Sequence, residues 1–216
     1  MNADDAMLAF ERHSTSKIKR VEDIIHISSL GFRGEALPSI ASVSKLHLVT
    51  RTAEEEMATI VEYANGKLIN VTKTAANTGT AVTVRGLFKD LPARRKFLKT
   101  AQVEARHILK YIHYQALVYP QISFRLVIDD KEKLNYIACA ERKQRIEEVF
   151  GGGFFEDDII PIEGKYSDYS ISGYIFGLED RSDKLIDAQY TFINGRYIFD
   201  KTVRHSIKSA YEPFIL

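Results

Sequence analysis

Ser29-Leu30-Gly31-Phe32-Arg33-Gly34-Glu35-Ala36-Leu37-Pro38-Ser39-Ile40-Ala41-Ser42-Val43 is the stretch on which the fold turns. Two glycines flank Phe32-Arg33 just ahead of a short helix expected around 38–43. A loop of that kind can turn backbone N–H groups towards an anion at the helix N-terminus. Directly downstream the periodicity changes: Leu46, Leu48 and Thr50 alternate with Lys45, His47 and Val49, as a half-buried strand requires. Taken alone, the glycine segment reads more plainly as a solvated turn and a helix start. It is neither a Walker loop nor a dinucleotide fingerprint.

Working outward, further strands are expected at 59–63, 68–72 and 80–87, separated by Asn65-Gly66 and Asn77-Thr78-Gly79 turns. Together they predict a mainly antiparallel sheet. Upstream, 3–12 reads as a helix with Ala3, Met7 and Phe10 on one stripe. The polar run His13-Ser14-Thr15-Ser16-Lys17 follows, with an apolar stretch at 21–27. Past the sheet, Ala105, Ile108, Ile112, Ala116 and Tyr119 fall on one helical face, which Pro120 ends. We place a domain boundary near 118–121. Beyond it come a strand at 122–128, a helix at 142–150, a strand at 169–176, a hairpin around Asn194-Gly195 and a last helix marked by Val203, Ile207 and Ala210. The expectation is two α+β units, 1–118 and 119–216, with the helix at 103–119 as the link.

Composition bounds the reading. The 216 residues include 30 Lys plus Arg against 29 Asp plus Glu, so a strongly basic protein is excluded although a locally basic face is not. Between Lys89 and Lys110 seven basic residues face two acidic ones, a net +5. The segment 196–208 has four against one, a net +3. Such runs are commonly solvated faces, but they can also neutralise phosphates without reading sequence. Cys139 is the one cysteine, which excludes an intramolecular disulfide; it reads as a small buried apolar residue. The histidines show no metal-ligand spacing, and Gly151-Gly152-Gly153 reads as a helix cap and turn. No apolar run approaches the ~20 residues of a membrane span, so a soluble intracellular protein is expected.

Taken together, the words become specific. Glu11 to Ile18 and Ser29 to Val43, then Gly79-Thr80, Leu91-Pro92-Ala93-Arg94-Arg95-Lys96-Phe97-Leu98 and Phe192-Ile193-Asn194-Gly195-Arg196 occur in the order of MutL-type DNA mismatch repair proteins, which the chain resembles over nearly its whole length. That family belongs to the gyrase, Hsp90, histidine-kinase and MutL superfamily of ATPases. The resemblance implies an α+β chain: part of a Bergerat-type ATPase sandwich, then part of a transducer-type domain. It implies that Thr15, Ser16 and Lys17 belong to a lid over ATP. By the same likeness Gly31, Phe32, Arg33, Gly34, Glu35, Ala36 and Leu37 wrap the triphosphate, and Thr80 lies near the adenine pocket. It also implies magnesium-assisted hydrolysis of ATP, dimerisation on ATP binding, and sequence-independent DNA contact through Arg94, Arg95, Lys96 and Arg196. Arg196 is expected at an exposed hairpin tip. The implied partners are a mismatch-recognition protein and excision factors, and the implied compartment is cytoplasmic, near a bacterial nucleoid, or nuclear in a eukaryote.

The family's general-base glutamate, its magnesium-binding asparagine, its adenine-binding Asp-x-Gly-x-Gly and its phosphate-reaching lysine have no counterparts here. The chain alone is therefore expected to hold nucleotide poorly and not to hydrolyse it. Two other readings stay open: the ATPase part of a type II topoisomerase, and a non-catalytic DNA-binding or protein-interaction module.

Overall fold

A computed structural model describes residues 1–14, 31, 33–151, 159–176 and 189–214. It divides into two compact units, Met1–Thr100 and Ala101–Leu216, and the helix expected to close the first unit belongs to the second. The apolar stretch at 21–27 lies outside the described residues, as do Gly152 and Gly153.

The first unit is built on an antiparallel sheet of β1 (Lys45–Arg51), β2 (Ala58–Ala64), β3 (Lys67–Thr74) and β4 (Gly79–Arg85), in the order β3-β2-β1-β4. The strand register sets Leu46, Leu48 and Thr50 opposite Tyr63, Val61 and Thr59 on one side and Val84, Val82 and Thr80 on the other. One face of the sheet therefore gathers the apolar residues. The short helices α1 (Ala3–Leu8) and α2 (Ala36–Ala41) cover the middle of that face, where Ala6, Phe10, Ala41, Leu46, Leu48 and Val61 form the core. Asn2 caps α1 by accepting the Asp5 N–H at 2.7 Å. The helix is shorter than the periodicity suggested, because residues 9–14 leave it in a series of turns.

The hairpin signals hold. Asn65 and Gly66 both take positive φ, the conformation a two-residue turn needs, and their N–H groups donate to Ser44 and Ala41 carbonyls at the end of α2. After β4 the chain makes the single helical turn α3 (Pro92–Arg95), with proline where a missing N–H costs nothing.

The second unit has α4 (Ala101–Val118) and α5 (Arg142–Phe150), three hairpins and α6 (Lys201–Tyr211). The hairpins are β5 (Phe124–Ile128) with β6 (Lys131–Tyr136), β7 (Ile159–Tyr166) with β8 (Tyr169–Phe176), and β9 (Thr191–Ile193) with β10 (Arg196–Ile198). Of the five residues expected on the buried face of α4, Ala116 is buried but Ile108 is half exposed. Tyr114 and Leu117 are buried beside Ala116 instead. The cause is aromatic: Tyr114 stacks on Tyr197 with ring centroids 3.7 Å apart and meets Tyr190 edge-on at 5.7 Å. Burial, then the Tyr197 hydrogen bond, push the Tyr114 hydroxyl above its ordinary range. Leu117, Ile146 and Ile159 complete the core with Phe150 and Phe192. Asp200 caps α6 through the Val203 N–H at 2.9 Å.

Burial holds the His113 imidazole on α4 below its ordinary value of 6.5. The unfolded chain takes up that proton first as the pH falls, so the unfolded state binds more protons below about 6.5. The contribution of His113 to stability is therefore full above this pH and declines as the pH falls towards the folded value. Urea unfolding followed through this window should show that decline, and His113→Phe should flatten it; an unchanged slope would remove His113 as its source.

Candidate functional site

Phe10 positions the first motif. Its ring stacks on Tyr63 at 4.4 Å, anchoring the turn after α1 to the sheet. Burial and the nearby Glu11 charge raise the Tyr63 hydroxyl. From this anchor the chain runs through His13, which takes a positive φ, to Ser14. The second motif is positioned by α2, which packs Leu37, Ile40 and Ala41 into the same core.

The two motifs meet. Gly34 has φ +61, and a Cβ there would overlap the Ser14 carbonyl oxygen and carbon. Only a residue without a side chain allows backbone against backbone at this point. One residue to either side, His13 Nδ1 and Glu35 Oε1 are 3.2 Å apart, an ion pair when the imidazole is protonated. The structure thus brings His13-Ser14 against Gly34-Glu35, twenty residues on. Among the described residues, a Cβ on Gly31 would meet nothing within 4 Å. Glu35 is the N-cap residue of α2, with Ala36 and Leu37 in the first turn. Thr15, Ser16, Lys17 and Phe32 lie outside the described residues.

Thr80 is held separately, on β4, where its Oγ1 lies 2.8 Å from the buried Thr50 Oγ1. Among the described residues no group of three or more His, Cys, Asp or Glu could hold a metal ion. No described helix is long and apolar enough to cross a membrane.

The basic residues divide between the units. Arg94, Arg95 and Lys96 are exposed on and just after α3 in the first unit. Arg196 is on β10 in the second, half-buried and engaged rather than presented at a free tip. The physical reason lies in the turn. Asn194 and Gly195 take positive φ as expected, but Gly195 packs so closely on Tyr119 that a Cβ would come within 2.8 Å of the Tyr119 hydroxyl. Cys139 is partly rather than fully buried, with Sγ 3.6 Å from the Pro120 carbonyl oxygen.

The description "DNA mismatch repair protein, C-terminal domain" matches residues 146–216. The chain is 39% identical to the DNA mismatch repair protein MutL of Solibacter usitatus, across 98% of this chain and 36% of that protein. It is 41% identical to the MutL of Thermodesulfovibrio yellowstonii, across 97% and 38%. The Aquifex aeolicus MutL ATPase domain complexed with ADP superposes with a TM-score of 0.69 at 29% identity, over 88% of this chain and 71% of that one. The chain is similar to MutL proteins along almost its whole length. Its fold is the α+β arrangement of the MutL ATPase domain, and it spans a little over a third of the length of these MutL relatives. The relatives named are MutL proteins, and the topoisomerase reading has no support among them.

Arg145 was not singled out by the sequence. It is fully buried on α5, with Nε donating to Glu148 at 2.9 Å. Its Nη atoms donate to the carbonyls of Pro120, Ile122 and Ile137, and its guanidinium lies over the Tyr136 ring. It fastens α5 to the chain on both sides of the β5–β6 hairpin. Nothing in the charged string Arg142-Lys143-Gln144-Arg145 marks which residue turns inward.

Proposed function

We propose that this chain is the part of a MutL-type mismatch repair ATPase that carries the phosphate-wrapping segment and the start of the lid. The approach of Gly34 to Ser14 carries this reading, because it joins the two words expected to enclose one nucleotide. Gly31, Phe32, Arg33, Gly34, Glu35, Ala36 and Leu37 would hold the triphosphate, largely through backbone N–H groups. Thr15, Ser16 and Lys17 would close over it, and Thr80 would line the adenine side. The described residues fit a phosphate chain. They do not fit magnesium, since no carboxylate set gathers among them.

In a longer polypeptide ATP binding would order the lid, favour dimerisation and couple to DNA. The first unit would act as the nucleotide half and the second as the transducer half, in a bacterial cytoplasm. A mismatch-recognition protein and excision factors are the partners this role requires. Alone, the chain lacks the general base, the magnesium ligand, the adenine anchor and the phosphate-reaching lysine expected of the family, so it should not turn over ATP. The reading is tested by placing this chain in the MutL of Solibacter usitatus in place of the aligned region. The chimera should hydrolyse ATP and lower the mutation rate of a bacterium lacking MutL; a folded chimera that does neither would refute the proposal.

DNA contact is proposed through Arg94, Arg95 and Lys96, whose exposure leaves them open to phosphates, with Arg196 in a second place. Each phosphate contact removed should reduce the slope of log affinity against log salt by about 0.9. Reversing all three charges in the chimera should lower that slope, and Arg196→Glu should lower it further. An unchanged salt dependence would take these residues off the DNA surface.

A further inference from the structure

Thr80, proposed above to line the adenine side, does not stand alone on β4. The antiparallel register sets it directly opposite Thr50 on β1, and sets Thr50 opposite Thr59 on β2. Three hydroxyl side chains therefore form a row across the sheet, beyond the Leu46 and Leu48 core. Thr50 and Thr59 are each only 1% exposed, whereas Thr80 is open to solvent.

Thr59 is engaged from its other side, where Lys73 Nζ donates to its Oγ1 at 2.9 Å. Thr50 is the junction of the row. Its Oγ1 lies 3.0 Å from the Met1 amino nitrogen and 2.8 Å from Thr80 Oγ1. The carbonyl oxygens of Met1 and Gly79 are 3.2 and 3.3 Å away. A hydroxyl has one proton to give and two lone pairs with which to accept. The Met1 amino group donates and occupies one lone pair; the two carbonyls can only accept.

Burial decides where the Thr50 proton goes. Directed at the carbonyls, it satisfies acceptors at a side chain closed to water, and the second lone pair of Thr50 is left to receive the Thr80 proton. All four contacts are then used. Directed at Thr80 instead, it withdraws the Thr50 donor from both carbonyls and leaves a buried lone pair unfilled, an uncompensated loss at a dry position. Thr80 loses nothing by donating inward, since its own lone pairs still face solvent.

We propose that Thr50 is a positioning residue for the nucleotide base, which takes the Thr80 proton and so fixes Thr80 Oγ1 as a hydrogen-bond acceptor on the adenine side. This rests on the nucleotide reading above and adds to it the direction of one hydrogen bond and the residue that sets it. In the isolated chain, nuclear magnetic resonance should find the Thr80 hydroxyl proton exchanging slowly with water. Thr50→Val should release that proton and Thr50→Ser should retain it. In the Solibacter MutL chimera, Thr50→Val should raise KM for ATP about three- to ten-fold, the worth of one neutral hydrogen bond, with kcat nearly unchanged. Thr50→Ser should restore the parent KM. Thr80→Val should raise KM to a similar degree, and adding Thr50→Val to it should change little, because the two residues act as one unit. Thr59→Val removes a buried hydroxyl from the same row without touching Thr80, so it should leave KM unchanged. A Thr80→Val chimera with the parent KM would overturn the adenine-side reading of Thr80, and this proposal with it. A loss with Thr80→Val but not with Thr50→Val would overturn the positioning role alone. So would additive losses in the double variant, an equal loss with Thr59→Val, or a Thr80 hydroxyl that exchanges fast in the unaltered chain.

Discussion

Arg145→Met should destabilise the second unit by about 3–5 kcal/mol, as removal of one member of a buried, hydrogen-bonded ionic group does. The methionine fills much of the stem's volume but leaves the Ile122 and Ile137 carbonyls without their donor, and Glu148 without its cation. Pro120 suffers less, because its carbonyl also accepts the Cys139 N–H at 2.9 Å. Arg145→Lys should recover less than half of the loss, for an ammonium cannot spread its donors across the same fork. Urea unfolding monitored at the tyrosine cluster measures both. A loss under about 1 kcal/mol for Arg145→Met would mean that water replaces the guanidinium and that the hairpin is not fastened through it.

Gly34→Ala should give the largest effect on function. A positive φ costs an L residue about 1–2 kcal/mol, which the protein could absorb. The overlap with the Ser14 carbonyl is the greater problem, since backbone on one side or the other must move. A displacement near 1 Å at a site that positions reacting groups costs roughly 100-fold in rate. The MutL chimera carrying Gly34→Ala should therefore lose ATP turnover by at least about that factor while remaining folded. Gly66→Ala is the matched control: its φ is also positive, but the added Cβ meets only Ser42 at an ordinary 3.5 Å. It should cost stability in the β2–β3 turn and leave turnover unchanged. Equal loss in both variants would trace the effect to general destabilisation and not to the approach of the two motifs.

What could be read from the sequence follows physical range. The alternation at 45–51 gave β1 because side-chain period is a local property, and Asn65-Gly66 and Asn194-Gly195 gave their turns because positive φ is one too. β6 and β7 went unread. Lys131-Glu132-Lys133 shows no apolar alternation, since most of that strand faces water, and Pro161 interrupts β7. The order β3-β2-β1-β4 could not be read either, because strand pairing is decided by contacts distant in sequence. The same holds for the site. The glycine-rich word and the lid word were each legible, yet the contact of Gly34 with Ser14 depends on Phe10 and α2 sharing one core. Arg196 shows the opposite failure: the turn was right, but Tyr119 packs beneath it and changes what the turn presents.

Steady-state ATP turnover, measured side by side on the isolated chain and on the Solibacter MutL chimera, decides whether these residues wrap a nucleotide. The isolated chain should show no turnover above buffer, and the chimera should come within about ten-fold of the intact relative, a difference of ~1.4 kcal/mol in barrier. Turnover by the isolated chain at the relative's rate, or a folded chimera that binds no ATP, would contradict that reading.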